Sequence, residues 1–440
     1  MKEKIKTFLE RINFANRLRR RLVKLEDDTQ KSLKCLGREN QIIKNRIKIS
    51  QKQAIHTVFV CHSPSLWGAL ESVYQTILAD SDFIVSIIAV PYMHSTFSDN
   101  EFHEGGMIEF LEKKKIVFIP GYNVKNKSWL DLQKLSPDYI FFQTPYDSQF
   151  PFFYTSAYVS LFARVCYVPY YGTLLYEGDV DKTTHPIDFF KNVSYYFVAH
   201  SEEQEDVAKK FSQIFPIINI INSGSPKTDY ILNKPSTTRS TWKLGLEKQL
   251  IRILWTPRWQ TSEGFCHFFD YKDYLLNFIE THIEIDFLFR PHPLCMQNFL
   301  NTGELSQAKY DEMLLLFDNM RNAKIDFSND YQDTILTTDI LISDMSSILY
   351  EFFMTGKPII YTHRINGFNK FASKLAKGFY WVHNKTELEH TLQMLLSGED
   401  PLKPLRQKLL KELLVNSPSG ASTLIKETIK NDFLLSIHNE

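Results

Sequence analysis

The sequence predicts an α/β protein with two doubly wound parallel sheets, one after the other along the chain. Short apolar runs rich in branched and aromatic residues alternate with segments of helical periodicity, as in strands joined by crossover helices. The 440 residues are enough for two domains of ordinary size. We therefore expect a helical segment at 1–52, a first domain at 53–235 and a second at 236–440, with the Pro- and Thr-rich stretch 233–241 as linker.

Each domain has its own series of elements. In the first, Pro64 opens a helix through about residue 79, because proline is tolerated in the first helical turn. Strands of the first domain are predicted at 56–60, 83–90, 116–119, 139–143, 165–168 and 195–198. Strands of the second domain are predicted at 251–255, 285–289, 324–327, 340–342, 359–361 and 379–382. Helices of the second domain are predicted near 270–281, 306–321, 347–355, 385–397, 404–415 and 422–433.

The first 52 residues form a strongly basic segment. They hold 16 Lys and Arg against 6 Asp and Glu, whereas the other 388 residues hold 35 against 45. Apolar side chains recur at steps of three or four residues, at Ile5, Phe8, Ile12, Ala15, Leu18, Leu22 and Leu25. The rest of the helix surface is largely basic, with Arg17, Arg19, Arg20, Arg21 and Lys24.

Three interpretations of this basic amphipathic helix stay open. It can form a coiled coil that makes a homo-oligomer, lie on an anionic membrane surface, or pack on the protein's own acidic body. Nucleic-acid binding is disfavoured, since no basic groove interleaved with aromatic residues accompanies the charge.

The cysteine content and the lengths of the apolar runs indicate the cellular compartment. The five cysteines are scattered and form no Cys-x-x-Cys pair, so neither a disulfide framework nor a zinc site is expected. No apolar run approaches the length that spans a bilayer, and the start lacks the apolar core of a signal peptide. We expect a cytoplasmic protein, peripheral at the inner face of the cell membrane.

The segment 339–361 carries the clearest indication of a ligand site. A short apolar run leads into a polar turn, a helix and a terminating glycine. The turn lies at the carboxyl end of a strand and the amino end of a helix, where free N–H groups attract phosphate and open parallel sheets bind ligands. Ordinary helix capping is the alternative for each residue taken alone. The predicted donor-binding residues are Ser343, Asp344, Ser346, Ser347 and Glu351, the last for a ribose hydroxyl pair.

Two further strand ends carry basic residues. Arg290 and His292 follow a buried strand, and the proline after each stiffens the turn. A fixed guanidinium beside an imidazole is suited to clamp a pyrophosphate. Arg258 follows another strand end and is expected to face the same cleft as part of the donor site. A structural role or a surface ion pair is the alternative for each.

These segments resemble the signature of the CDP-glycerol glycerophosphotransferase family, the teichoic-acid and capsule polyol-phosphate transferases. Besides the Ser-Asp-Met-Ser-Ser turn, the similar segments are Ser223-Gly-Ser-Pro-Lys-Thr-Asp229, Ile253-Leu-Trp-Thr-Pro257-Arg258-Trp259, Arg290-Pro-His292-Pro293 and Ser419-Gly-Ala-Ser-Thr. The resemblance implies a GT-B fold, in which two Rossmann-like domains face a cleft and a last helix crosses back onto the first. It also implies that Arg290 and His292 act on the phosphoryl group.

The first domain departs from the family pattern at one place. The family carries Trp-His-Gly-Thr-Pro there, with a histidine that is taken as catalytic, and this chain has Tyr-Tyr171-Gly-Thr-Leu. Tyrosine is a poor base near neutral pH, so Tyr171 is expected to donate a hydrogen bond to a phosphoryl oxygen. The predicted acceptor-binding residues are Gly172, Thr173 and Gln143, and the candidates for the missing base are His62, His94 and His185.

Neither a cofactor nor a metal is expected. The glycine-rich motifs of dehydrogenases and P-loop enzymes are absent from the sequence. Positive side chains and helix dipoles are then left to neutralise the charge of a departing nucleotide.

Three hypotheses for the function follow. The first is transfer of glycerol phosphate or a related polyol phosphate from a CDP-activated donor to a lipid-linked or glycan acceptor, with release of CMP. The second keeps the fold but moves a sugar from a nucleotide sugar, which the absent histidine favours. The third is a non-catalytic scaffold of a polysaccharide assembly complex, which the basic amino terminus suits and the retained Arg290, His292 and serine clusters oppose.

Overall fold

Two parallel sheets follow a long N-terminal helix, so the predicted α/β architecture is confirmed. The structure is a computed structural model, and it describes residues 2–51, 53–93, 101–176, 185–211, 218–233, 241–246, 249–328, 331–362, 367–414 and 420–436. Most of the predicted linker 233–241 lies outside these residues, and the domain boundaries drawn from the sequence stay a prediction.

The first sheet is doubly wound. Its strands and an adjacent short hairpin (β4 and β5) are β1 (Ile55–Cys61), β2 (Phe83–Ala89), β3 (Ile119–Pro120), β4 (Tyr122–Asn123), β5 (Ser128–Trp129), β6 (Tyr139–Phe142), β7 (Arg164–Tyr167), β8 (Val193–Val198) and β9 (Asn219–Asn222). The order across the sheet is β3-β2-β1-β6-β7-β8-β9, with parallel pairing throughout. The winding therefore reverses between β1 and β6.

The second sheet repeats this plan. Its strands are β10 (Ile251–Thr256), β11 (Ile285–Phe289), β12 (Ala323–Ile325), β13 (Ile340–Ser343), β14 (Ile359–Thr362) and β15 (Tyr380–Val382). They lie parallel in the order β12-β11-β10-β13-β14-β15, so the winding reverses between β10 and β13. All six strands lie close to the positions that the sequence predicted.

Both faces of each sheet are covered, which explains the continuous apolar runs of the strands. In β1, Phe59 contributes to one apolar cluster and Val58 to the cluster on the opposite face. In β10, Ile253 and Leu254 likewise contribute to apolar clusters on opposite faces of the sheet. Because successive side chains of a strand point to opposite faces, each sheet organises two cores.

The helices fill the layers around the sheets. They are α1 (Lys2–Ser50), α2 (Glu71–Leu78), α3 (Met107–Lys113), α4 (Ser156–Val159), α5 (Ile187–Phe190), α6 (Ser201–Phe211), α7 (Pro226–Asn233), α8 (Phe268–Thr281), α9 (Cys295–Asn301), α10 (Gln307–Asn319), α11 (Gln332–Thr337), α12 (Ile348–Phe353), α13 (Lys370–Leu375), α14 (Lys385–Leu396), α15 (Lys403–Leu414) and α16 (Ala421–Leu435). The helix predicted at 64–79 begins as a 3₁₀ segment, Pro64–Ala69, before α2. The strand predicted at 116–119 overlaps β3 by one residue, and the sequence did not predict strands β4, β5 and β9 or the short helices α9, α11 and α13.

Helix α16 crosses back onto the first domain, as the family resemblance implied. Ile425, Ile429 and Phe433 lie in the apolar cluster of the first sheet. The carboxylate of Asp229 accepts hydrogen bonds from the backbone N–H groups of Ala421 (2.9 Å) and Ser422 (2.8 Å). Asp229 thereby caps a helix that begins almost 200 residues later, and two of the family-like segments turn out to be partners.

The second half of α1 docks on the first domain through one buried carboxylate. Asp138 accepts hydrogen bonds from Gln41 Nε2 and from the backbone N–H of His56, both at 2.9 Å. It also pairs with the ammonium group of Lys48. Further along α1 towards the N-terminus, Leu22 and Leu25 are solvent exposed.

The two domains meet along the segment that follows β7. Tyr176 forms an antiparallel bridge with Phe368, and Asn369 donates its backbone N–H to Leu175 (2.9 Å). The Nδ2 of Asn369 donates to the carbonyl of Leu174 (2.8 Å). This segment therefore belongs structurally to both domains.

We predict that Asp138→Ala lowers the free energy of unfolding by about 3 kcal/mol, because it leaves the largely buried ammonium of Lys48 without its counterion and the N–H donors of Gln41 and His56 without their acceptor. Urea or thermal unfolding measures the effect. The control is Asp188→Ala, which removes an exposed ion pair with Lys191 and is expected to cost under about 1 kcal/mol. Equal losses in the two variants would contradict the docking role of Asp138.

Candidate functional site

The predicted donor residues gather at the carboxyl ends of β10, β11 and β13. Thr256 and Ser343 are register partners in adjacent strands, so the residues just beyond them meet. This is the point where the winding of the second sheet reverses, and open α/β sheets bind ligands outside such a point.

Asp344 is the centre of this arrangement. It is buried, and its Oδ2 accepts hydrogen bonds from the backbone N–H groups of Arg258 (2.8 Å) and His267 (3.0 Å). Its Oδ1 lies 2.8 Å from Nδ1 of His267 and also accepts from the hydroxyl of Thr362. Asp344 therefore joins the ends of β10, β13 and β14 to the start of α8, and its contact with a ligand would have to be indirect.

Arg258 is aimed along the polar turn by two side-chain contacts. Its Nη1 donates to the carbonyl of Met345 at 2.8 Å, and its Nε pairs with Glu263. The side chain is partly exposed. The guanidinium thus lies beside the turn that contains Ser346 and Ser347.

Arg290 is held at the end of β11. Its guanidinium pairs with Asp326 (2.5 Å) and donates to the carbonyl of Ser328 (2.7 Å). It also lies 4.8 Å from the ring centroid of Tyr331. Because these contacts use only part of the guanidinium, the group keeps donors for a ligand.

His292 lies among positive charges. Loss of water around the ring, together with the guanidinium groups of Arg258 and Arg290, lowers the pKa of His292 below its ordinary value. Nδ1 accepts a hydrogen bond from the backbone N–H of Leu294 (3.2 Å). The neutral ring therefore carries its proton on Nε2 and presents a hydrogen-bond donor, the form that suits a phosphoryl oxygen.

The three serines of the turn have different positions. Ser343 is fully buried, and its hydroxyl is bonded to Thr256 and to the carbonyl of Asp344. Ser346 and Ser347 are partly exposed just before α12. The structure thus places two of the three next to the open side of the strand ends.

Glu351 is buried and joined to the other domain. Its carboxylate pairs with the ammonium of Lys227 (2.6 Å) and accepts a hydrogen bond from the hydroxyl of Tyr331 (3.0 Å). Electrostatic attraction to this carboxylate outweighs the burial of Lys227 and raises the pKa of that lysine. A ribose diol reaches Glu351 only when Lys227 gives up part of this contact.

In the first domain, Gly172 faces the second. Gly172 has φ = 77°, and a Cβ there would lie 3.3 Å from Oγ of Ser225 and 4.0 Å from the ring of Tyr350 in α12. The loop therefore needs glycine at this position. Burial, then the nearby Tyr196 and Glu203, raise the pKa of Tyr171 well above its ordinary value, so its hydroxyl stays protonated.

Thr173 is part of a buried polar cluster rather than an exposed surface. Its hydroxyl lies 2.9 Å from Nε2 of His200 and donates to Glu203 (3.1 Å). His200 stacks on Phe371 of the second domain, with centroids 3.5 Å apart. Burial raises the pKa of Glu203 to about 7 and lowers that of His200 to about 4. Both groups hold the loop by neutral hydrogen bonds.

Gln143 lies at the carboxyl end of β6, where the winding of the first sheet reverses. Its Oε1 accepts from the backbone N–H groups of His62 (2.7 Å) and Ser63 (2.9 Å), and its Nε2 donates to the carbonyl of Ser63. The amide is buried and engaged within the protein. Any effect of Gln143 on an acceptor comes through the loop that it holds.

The other candidate bases have different surroundings. His62 is buried against the rings of Tyr92 and Phe150. His94 lies outside the described residues. His185 is buried, with Nε2 2.9 Å from the hydroxyl of Tyr196.

Sequence reasoning missed several residues of the site. Lys227, His267 and Tyr331 acquire their positions only through partners that lie between 20 and 124 residues away. No local pattern marks such pairs. The sequence signal that could have pointed to this pair is the family resemblance, because Lys227 lies within one family-like segment and Glu351 follows another.

Two features are absent from the described ranges. No three His, Cys, Asp or Glu side chains in them come together as in a metal site. No helix in those same ranges combines the length and the apolar character needed to cross a bilayer.

Solved structures share the fold. The wall teichoic acid polymerase TagF superposes with a TM-score of 0.55 at 14% identity, covering 91% of this chain and 99% of that chain. A UDP-GlcNAc 2-epimerase from Neisseria meningitidis, bound to UDP-GlcNAc, gives 0.53 at 12% identity, covering 86% and 100%. These similarities confirm the GT-B arrangement of two Rossmann-like domains.

Two curated relatives are similar in sequence. A teichoic acid poly(ribitol-phosphate) polymerase from Bacillus spizizenii is 25% identical over 165 residues, 36% of this chain and 25% of the relative. The teichoic acid ribitol-phosphate polymerase TarK from Staphylococcus aureus is 28% identical over 153 residues, 32% and 27% of the two chains. The matched part thus spans about a quarter of each relative.

A family model agrees with these similarities. The model of CDP-glycerol:poly(glycerophosphate) glycerophosphotransferases matches residues 178–381. This range begins after the Tyr171 loop and contains Arg258, Arg290, His292 and the Ser346 turn. The motifs and this match agree, so residues 178–381, just under half of the chain, are similar to the CDP-glycerol:poly(glycerophosphate) glycerophosphotransferase family.

Proposed function

We propose that the protein transfers a polyol phosphate, glycerol phosphate or ribitol phosphate, from a CDP-activated donor to a hydroxyl group of a lipid-linked or glycan acceptor, and releases CMP. The family match and the polymerase relatives support the reaction class. The observation that carries the proposal is the convergence of Arg258, Arg290 and His292 beside the Ser346–Ser347 turn, at strand ends that face the loop of the other domain.

Each part of this cluster has a chemical role in such a transfer. Phosphoryl transfer is mostly positioning and charge stabilisation, with little covalent work for the protein. The guanidinium groups of Arg258 and Arg290 bind the pyrophosphate oxygens, and Nε2–H of His292 donates to an oxygen whose charge grows as CMP leaves. Ser346 and Ser347 bind the nucleotide phosphate, with Asp344 and Ser343 holding the turn from below.

The first domain supplies the acceptor side. Gly172 allows the loop to approach α12, and Thr173 anchors the loop to Glu203. Tyr171 then stands at the edge of the cleft as a hydroxyl that donates to the phosphoryl group or contacts the acceptor hydroxyl. Gln143 fixes the neighbouring strand end.

The decisive experiment is a donor panel. Purified protein is incubated with CDP-glycerol, CDP-ribitol, CMP-sugars and UDP-sugars, with and without a lipid-linked acceptor, and CMP or UMP release is measured. Release of CMP from a CDP-polyol supports the proposal. Release only from a sugar nucleotide supports the alternative that Tyr171 in place of histidine favours, and no release by well-folded protein would leave a binding or scaffolding role.

We further propose that α1 attaches the enzyme to an anionic lipid surface on the cytoplasmic face of the membrane. Arg19, Arg20 and Arg21 are exposed beside the exposed Leu22 and Leu25, so charge and apolar surface are offered together.

Vesicle sedimentation tests this attachment. The full chain is expected to bind vesicles containing phosphatidylglycerol, less so at high salt, and Leu22→Glu with Leu25→Glu is expected to abolish binding. Neutral phosphatidylcholine vesicles are the control. Concentration-dependent self-association without vesicle binding would assign the helix to a homo-oligomer instead.

We predict that His292→Ala lowers kcat by about a hundredfold or more, because it removes a donor aimed at developing charge. Stability should fall by under about 1 kcal/mol, since the ring's hydrogen bond to the backbone of Leu294 lies within the same turn. Steady-state CMP release and urea unfolding measure the two effects. His390→Ala, at an exposed position of α14, is the control, and undiminished turnover in His292→Ala would remove His292 from the mechanism.

The anchor of the Thr173 loop should depend on pH. Burial raises the pKa of Glu203 from 4.5 to about 7, so the folded protein retains a proton that the unfolded chain releases. The stabilisation is complete below pH 4.5 and is lost as pH rises through 7.

Glu203→Gln should therefore be as stable as the wild type at pH 4.5 and more stable by on the order of 3 kcal/mol at pH 8. Urea unfolding across this pH range measures the difference. The exposed Glu205→Gln of the same helix is the control. A constant difference between Glu203→Gln and wild type at every pH would refute the buried carboxyl as the titrating group.

A further inference from the structure

A continuous line of polar atoms leads from the Tyr171 loop into the interior of the first domain. The hydroxyl of Tyr171 lies 3.4 Å from that of Tyr196, which lies 2.9 Å from Nε2 of His185. The first distance exceeds the usual 2.7–2.8 Å of an O–H···O bond, but catalytic hydrogen bonds are often long before substrate binds.

Exposure falls along this line. Tyr171 keeps part of its surface accessible, whereas Tyr196 and His185 are buried to 0% and 1% exposure. Phe190 and Phe211 pack against the imidazole ring of His185, with centroids 5.1 and 5.8 Å away. The Tyr171 end of the line is therefore the more accessible one, and the His185 end is kept away from bulk water.

We propose that Tyr171, Tyr196 and His185 form a proton relay in which His185 is the general base of the transfer. The inference rests on the proposed function and deepens it, because it names the group that takes the place of the family's histidine. Tyr171 contacts the acceptor hydroxyl and is the catalytic residue, and Tyr196 and His185 act through it.

The relay takes up the proton that the transfer step releases. The acceptor oxygen bonds to the distal phosphorus of the donor as the bond from that phosphorus to the CMP oxygen breaks, and CMP leaves with the electron pair. The acceptor proton passes to Oη of Tyr171, the Tyr171 proton to Oη of Tyr196, and the Tyr196 proton to Nε2 of His185. The imidazolium returns the proton by the reverse path when products leave.

Burial favours a relay over a standing tyrosinate. Among the described groups, the hydroxyls of Tyr167 and Tyr170 and the carboxyl of Glu203 face the relay. Burial holds the pKa values of Tyr171 and Tyr196 well above the ordinary range, so both hydroxyls stay protonated at rest.

Kinetics of variants test the relay. Tyr196→Phe and His185→Gln should each lower kcat by about a hundredfold, with the KM for the CDP-polyol changed by under about threefold. The double variant should be no slower than either single one, because the residues work as a unit. Tyr167→Phe, which removes a hydroxyl from the same aromatic cluster outside the relay, is the matched control.

Two kinetic results would overturn the relay while the wild type remains active. One is wild-type turnover in Tyr196→Phe, and the other is additive losses in the double variant. Absence of CMP release by the wild type with every CDP donor would instead overturn the proposed function.

A measurement without turnover keeps the two failures apart. In the full chain labelled with ¹⁵N-histidine, NMR reports which ring nitrogen of His185 carries the proton, with His185→Gln used to assign the signal. The relay requires Nε2 to be the unprotonated nitrogen that accepts from Tyr196. Protonation of Nε2 at neutral pH would overturn the proposal.

Discussion

The site depends on the buried carboxylate of Asp344. A charge without water is costly unless hydrogen bonds replace its solvation, and Asp344 receives them from Arg258, His267 and Thr362. These donors come from separate elements, so satisfying the carboxylate fixes the ends of β10, β13 and β14 relative to one another. The hydrogen bonds of Asp344 therefore also fix the positions of the Arg258 guanidinium and of the turn before α12.

A second buried charge pair ties the two domains to this frame. Lys227 of α7 and Glu351 of α12 neutralise each other across the interface, and the hydroxyl of Tyr331 satisfies the carboxylate further. The ring of Tyr331 also contacts the guanidinium of Arg290. The contact between the two domains and the position of Arg290 are therefore linked through one aromatic side chain, Tyr331.

Local pattern accounts for the elements but not for these contacts. The strand runs could be recognised because both faces of each sheet are buried, which makes residues such as Ile253 and Leu254 apolar in succession. Strand β9 was not predicted because Asn219 and Asn222 interrupt its apolar run. The pairing of Asp344 with His267 could not be predicted from the sequence for another reason. His267 lies 77 residues away, and no periodicity relates the two residues. Residue types that suit a phosphate can be recognised within a short segment of sequence. The groups that orient them come together only through the topology of the fold.

The tyrosine at position 171 follows the same logic. Its loop is confined, because Gly172 leaves no room for a side chain against Ser225 and Thr173 is bonded to Glu203. A histidine could serve directly as a base in such a place, but a tyrosine with a raised pKa cannot. In the proposed relay it passes a proton onward, and its hydroxyl lies near that of Tyr196, which lies near His185. The substitution is thus compatible with catalysis when the base lies deeper in the fold.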